Sequence, residues 1–301
     1  KSISKESLAA MILQTDDYGM NSLMFAARFH PEAVETILKA MPVKSLTAFL
    51  TQTDWYRKNP FMLQARNHPE AFESILKSIP EESLTAFLTQ NYHFGANALM
   101  FAVGFYPEAV EPILKSIPKE SLAAIMTHTA DFGQNALMLA ASKHPASVDA
   151  ILNYIPEESL AAIMTQTNGN GYNALMLAAR DHPSVAEPIL KSIPKESLAA
   201  VLTQTNCNGY NALMLADNYH PKAIASILNA MPLEWLIATP PERLKEIVSP
   251  ISSKSAFFDF VESKNNIELF VLYLAIAPEQ FRKKIMANPE GRDFKTEDYN
   301  N

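Results

Sequence analysis

The order of hydrophobic and polar positions along the chain returns every 38 residues. Asn21, Asn59, Asn97, Asn135, Asn173 and Asn211 share one register, and Met24, Met62, Met100, Met138, Met176 and Met214 share another. Two proline series, Pro31 to Pro221 and Pro42 to Pro232, keep the same spacing. Six units therefore run without insertion from Asn21 to about Thr239, and an unbroken period of this kind is the signature of a stacked repeat array. Lys5-Glu6-Ser7-Leu8-Ala9-Ala10 repeats the last third of a unit, so residues 1–20 read as a partial N-terminal repeat.

One unit, Asn173 to Tyr210, predicts three helices. Asn173 follows a turn and suits an N-cap, which starts a first helix over about Ala174 to Arg180. His182-Pro183 ends it, because the residue before proline is pushed out of the α region. Pro183 then opens a second helix to about Ile193, and Pro194 a third over Lys195 to about Gln204. Thr205-Asn206-Cys207-Asn208-Gly209 is turn chemistry leading to the next Asn. Pro112 and Pro188 fall inside second helices, so a kink is expected in those two units.

Glu35 with Lys39, Glu111 with Lys115 and Glu187 with Lys191 stand at i,i+4 on the second helix and mark a solvated face. The Leu and Met series of the first helix mark the core between repeats. After Pro232 the pattern decays, and residues 240–287 read as a helical cap over the last apolar face, with 288–301 a polar tail. The expected fold is an all-α solenoid of six three-helix repeats with that C-terminal cap.

Composition narrows the function classes. No apolar run is long enough to span a membrane. Cys207 is the one cysteine, which excludes an internal disulfide and any multi-cysteine metal site and fits a reducing cytosol. A net charge of −7 with both signs interleaved argues against nucleic acid as the partner. The chain opens at Lys1 without a leader pattern, and further sequence upstream is expected.

Asn-Ala-Leu-Met-Leu-Ala-Ala-Arg-Asp-His at 173–182, with an Asn-Gly turn before it and an amphipathic helix after it, resembles the ankyrin repeat. The period is longer than in that family, Asn-Ala-Leu-Met stands for its Thr-Pro-Leu-His, and a third helix takes the place of its β-hairpin. The resemblance covers about residues 5–240 and implies protein–protein recognition. The Lys-Ser-Ile-Pro-Glu-Glu-Ser-Leu texture is also similar to effectors that intracellular bacteria deliver into a host-cell cytosol.

Candidate chemistry is sparse. The ladder His30, His68, His144, His182 and His220 invites a metal reading. Stacked helices, however, stand about 8–10 Å apart, too far for neighbours to share a zinc ion bound at about 2.0 Å. Tyr106 interrupts the ladder, and a helix-junction role is expected instead. Cys207 lies at a turn position with no base placed for it, and Asn168-Gly169-Asn170-Gly171 lacks the features of a phosphate loop. No enzyme activity, cofactor or metal is expected. The alternatives are a site in the cap, where Lys254, Asp259, Glu262 and Lys264 bring charge without a motif, and a nucleic-acid reader. Arg28, Arg66 and Arg180 share a register for the latter, but Gly104, Ser142 and Asn218 interrupt it.

Binding surface is sought where the units disagree. The turn Trp55-Tyr56-Arg57-Lys58 departs most from its equivalents, and Gln64 replaces an alanine found in the other units. Tyr18, Tyr92, His93, Phe94 and Phe132 occupy neighbouring turns, and Arg28-Phe29, Arg66-Asn67 and Phe105 close the first helices. Aromatics with arginine are the composition of interface hot spots. The expectation is a chain, monomeric when free, whose N-terminal repeats bind another protein and regulate, inhibit or tether it.

Overall fold

The computed structural model describes residues 5–68, 76–77, 79–91, 93–232, 235–236, 239–240 and 247. Most of the second helix expected in the second repeat, the cap over 240–287 and the tail lie outside the described residues, save Leu76, Lys77, Ile79, Pro240 and Ile247. Every described element is helical. The chain divides into two compact units between Gly169 and Asn170, within one of the inter-repeat turns.

The three-helix unit is observed nearly as its punctuation predicts. In the fifth repeat the first helix runs Ala174–Asp181 and the third Lys195–Thr203. The second differs. It opens as a 3-10 turn, Pro183–Val185, and becomes α only over Ala186–Ser192. The same break occurs in repeats three, four and six, at Pro107–Ala109, Pro145–Ser147 and Pro221–Ala223. Repeats four and six carry no proline equivalent to Pro112 or Pro188, so those prolines are not the cause. The residue before each first proline accepts an i→i+3 bond, Tyr106 O from Ala109 N–H at 2.9 Å and equally His30 O from Ala33 N–H at 2.9 Å. Yet in the first repeat Pro31–Ala40 is α throughout, so the bond accompanies the 3-10 turn without dictating it. Pro112 and Pro188 then sit in the opening turn of the α segment Val110–Ser116 or Ala186–Ser192, where a missing N–H costs little.

Each helix packs on its repeat equivalent. In the first unit, first helices Ser22–Phe29, Pro60–Asn67, Ala98–Phe105 and Ala136–Lys143 contact one another in succession. Third helices Val43–Thr51, Glu81–Thr89, Lys119–Thr127 and Glu157–Thr165 do the same. In the second unit Ala174–Asp181 packs on Ala212–Tyr219. Met24, Met62, Met100, Met138 and Met176 are buried in these contacts, as the core reading expects, while Met214 is only part-buried. Burying such a side chain is worth about 1.5–3 kcal/mol, so the ladder is a principal source of stability. The Lys115–Glu111 and Lys191–Glu187 pairs form at 2.9 and 2.6 Å on the exposed face, as does Lys39 with Glu35.

The asparagines hold this arrangement in register. Their Oδ1 atoms accept the N–H of the methionine three residues on at 2.8–2.9 Å in all six repeats, capping the first helix from a buried position. Nδ2 then reaches into the third helix's C-terminus: Asn21 to Gln52 Oε1 at 2.9 Å, Asn135 to Gln166 Oε1 at 2.7 Å, Asn173 to Gln204 Oε1 at 2.8 Å. His128 replaces the glutamine in the third repeat and bonds Gly95 O at 2.7 Å, while Asn97 Nδ2 donates to Ile125 O. In the second repeat the tie is absent: Asn59 Nδ2 and Gln90 Oε1 are both buried without a hydrogen-bond partner.

Asn173→Ala removes a cap and a paired amide, and the expected loss is about 2–3 kcal/mol. Asn59→Ala removes the cap but also an orphaned donor, and the expected loss is about 1 kcal/mol. Urea midpoints of the two variants measure the difference; equal losses would show that the amide bond between the first and third helices of a repeat contributes nothing.

Candidate functional site

The turns before each first helix are built to hold their shape without help from the side chain at the tip. In the first, Asp16 N–H donates to Met20 O, and Asp16 Oδ1 accepts the N–H groups of Tyr18 and Met20 at 2.9 and 2.8 Å. Asp54 makes the same pair with Tyr56 and Lys58, and Asn206 with Asn208 and Tyr210. Such Asx chemistry satisfies the donors a tight turn leaves free. Adjacent turns are linked by backbone bonds, Trp55 N–H to Tyr18 O at 3.1 Å and Cys207 N–H to Asn170 O at 2.9 Å.

Each turn also needs a left-handed residue. Five of them use glycine, as at Gly19 with φ +77°, but the second turn puts Arg57 there with φ +57°. A non-glycine residue in that conformation costs about 1–2 kcal/mol. Phe94 and Phe132, one position earlier, are left-handed too.

The turn tip is Tyr18, Tyr56, Phe94 or Phe132 in the first four turns and Asn170 or Asn208 in the last two. All six are exposed, the aromatics by 61–80%. These rings are therefore not core residues that a glycine-poor turn requires. Trp55 is exposed by 73% and meets Tyr18 edge-on, with ring centroids 6.2 Å apart.

The first two turns and the ends of the first two first helices enclose a cleft of about 650 Å³. Of the residues singled out in the sequence, Tyr18, Arg28, Phe29, Tyr56, Arg66 and Asn67 line it. Asp16, Met20, Phe25, Asp54, Lys58 and Leu63 complete the wall. Arg28 lies 4.9 Å from the Phe29 ring centroid, and Phe25 packs on Phe29 at 4.8 Å. Lys58 Nζ stands 5.8 Å from the Tyr56 ring centroid.

The other predicted residues are not among those lining the cleft. Trp55 and Arg57 flank it on the exposed second turn. Phe94, Phe105 and Phe132 are exposed elsewhere on the first unit, with Phe105 against Phe101 at 5.0 Å. Tyr92 and the His93 side chain lie outside the described residues. Phe25 was missed because the first helix was read as core, yet an aromatic four residues before Phe29 signals a shared exposed face. Tyr219 was missed as well; it is exposed in the sixth repeat, so surface aromatics extend beyond the N-terminal repeats, although the cleft does not.

The histidines serve the junction. His30 and His182 end their helices with backbone N–H bonds to Ala26 O and Ala178 O. His220 Nε2 also meets Arg180 O at 2.9 Å. Among the described residues no group of three His, Cys, Asp or Glu could hold a metal ion. Tyr106 takes the histidine's place, where burial raises its pKa, Arg66 opposes the shift and Glu108 adds to it; its phenol stays protonated at neutral pH. Cys207 is exposed. No described helix is long and apolar enough to cross a membrane.

No family model matches the chain, and no curated protein matches it. Among solved structures, a chain in the complex of a predatory endopeptidase from Bdellovibrio bacteriovorus with an immunity protein is similar to it. The identity is 18% and the TM-score 0.48, over 71% of this chain and 98% of the other.

Arg57→Gly should relieve the left-handed strain and raise stability by about 1 kcal/mol. Tyr56→Ala, at an exposed tip, should change it by less than about 0.5 kcal/mol. Thermal melts of both variants check this; a destabilised Arg57→Gly would mean that the arginine is held by packing.

Proposed function

We propose that the chain is a non-catalytic protein-binding scaffold, a solenoid of six ankyrin-like repeats with a cap over residues 240–287. It presents its first two repeats to a specific protein and so regulates, inhibits or tethers it. The observation that carries this is the cleft of about 650 Å³, walled by aromatic and guanidinium side chains that the turns and helices do not need for their own shape. Rigid aromatic anchors beside arginine are the usual energetic centre of a protein interface. A fixed backbone with variable tips is how repeat arrays separate scaffold from recognition. The exposed single thiol of Cys207 suits a reducing cytosol, the setting that the effector-like texture implies.

Trp55 and Tyr56 carry the test. With both replaced by alanine, the affinity for a partner captured by the full chain should fall by about 2 kcal/mol or more, roughly 30-fold, without loss of the fold. Tyr172, whose ring lies 4.7 Å from the Arg180 guanidinium carbon, serves as the control: its replacement should lower the melting temperature and leave affinity unchanged. If the Trp55/Tyr56 variant folds and binds normally, recognition lies elsewhere.

A further inference from the structure

We infer that the occupant of the cleft is an acidic peptide segment of the partner, with a carboxylate next to an aromatic or aliphatic side chain, and that Arg28 and Arg66 bind the carboxylate. The inference rests on the docking function proposed above and supplies its chemistry.

Three arginines occupy one register of the repeat, and the structure treats them differently. Arg180 is neutralised by its neighbour: Nε reaches Asp181 Oδ1 and Nη2 reaches Asp181 Oδ2, both at 2.7 Å. At Arg28 and Arg66 the following residue is Phe29 or Asn67, and among the described residues no carboxylate lies within 4 Å of either guanidinium. Both line the same cleft, and Lys58 adds a third cation to its wall.

The two carboxylates in that wall do not fill the need. Asp16 and Asp54 each commit Oδ1 to two backbone N–H groups of their own turn, and Asp54 is buried. Arg28 Nη1 makes a weak contact with Met20 Sδ at 3.9 Å, a sulfur acceptor that a carboxylate outcompetes. Planar guanidinium groups favour bidentate carboxylate recognition, which is stronger than a neutral hydrogen bond. The aromatic walls shield such a pair from solvent and salt more than an open surface does.

The same walls select what stands beside the carboxylate. Phe25 and Phe29 pack at 4.8 Å with their rings tilted by 49° and remain about half exposed, lining the same cleft as the exposed tips Tyr18 and Tyr56. They offer an apolar shelf for one ring or branched aliphatic group. The cleft volume is that of a small-ligand pocket, with room for a few side chains and not for a duplex. The net charge of −7 opposes the long-range attraction that binding a polyanion such as nucleic acid depends on, whereas a short peptide with one or two carboxylates meets only the local charge of the cleft.

A random-peptide display library panned on the full chain tests this. Recovered peptides should carry Asp or Glu adjacent to Phe, Tyr, Leu or Ile. A synthetic copy of one should bind the wild-type chain and lose about 30-fold or more on the Arg28→Gln/Arg66→Gln variant, the scale of hot-spot loss. Its affinity should fall with added salt, while Arg180→Gln binds it as wild type does. Exposed glutamines at 28 and 66 remove no ion pair, and a circular-dichroism melt confirms the fold. Recovery of peptides without acidic residues, equal binding of the Gln/Asn isostere, or normal binding by the double variant overturns the inference and leaves the docking function standing. The same peptides recovered on a folded Tyr18→Ala/Tyr56→Ala variant overturn both. Arg28- and Arg66-dependent binding to phosphatidylserine vesicles, with no peptide recovered, overturns the inference in favour of a membrane.

Discussion

A buried asparagine at the head of every first helix is the interaction on which the rest of the scaffold depends. One oxygen caps the helix, and in the first, fourth and fifth repeats the amide nitrogen ties that cap to a glutamine 31 residues along the chain. The bond thus joins local helix initiation to the stacking of one helix on another. A buried amide of this kind is costly when unpaired and useful when satisfied, so it specifies register as well as stability.

The second repeat breaks the rule. Asn59 Nδ2, Gln90 Oε1 and Gln64 Oε1 are all buried without a partner. Gln64 stands where the other repeats place alanine, on the helix Pro60–Asn67 that also supplies Leu63, Arg66 and Asn67 to the cleft. Arg57 adds a strained left-handed residue in the turn just before it. Departures from local consistency are a device by which a protein gives up stability for a surface, and the second repeat, which supplies one wall of the cleft, carries three of the four unsatisfied buried amide atoms among the described residues.

The scaffold was legible in the sequence because it repeats. Proline, asparagine and methionine in fixed register gave helix starts, caps and core, and the observed first and third helices agree with them within a residue or so. The opening 3-10 turn of the second helix in repeats three to six was not legible, because the His-Pro or Tyr-Pro start that precedes it also precedes the plain α-helix Pro31–Ala40. Six of the candidate site residues proved to share a cleft, and divergence between units found them. Phe25 escaped because it sits in a position that the first helices of most other repeats fill with leucine. Phe94, Phe105 and Phe132 were candidates by composition alone; they belong to later repeats and do not line the cleft.

Hydrogen–deuterium exchange on the full chain, free and with a captured partner, tests the account most directly. Amides in residues 16–29 and 54–67 should become protected in the complex, while those around Asn208 and Tyr219 exchange as in the free chain. Protection confined to the fifth and sixth repeats, or none within the first two, would contradict it.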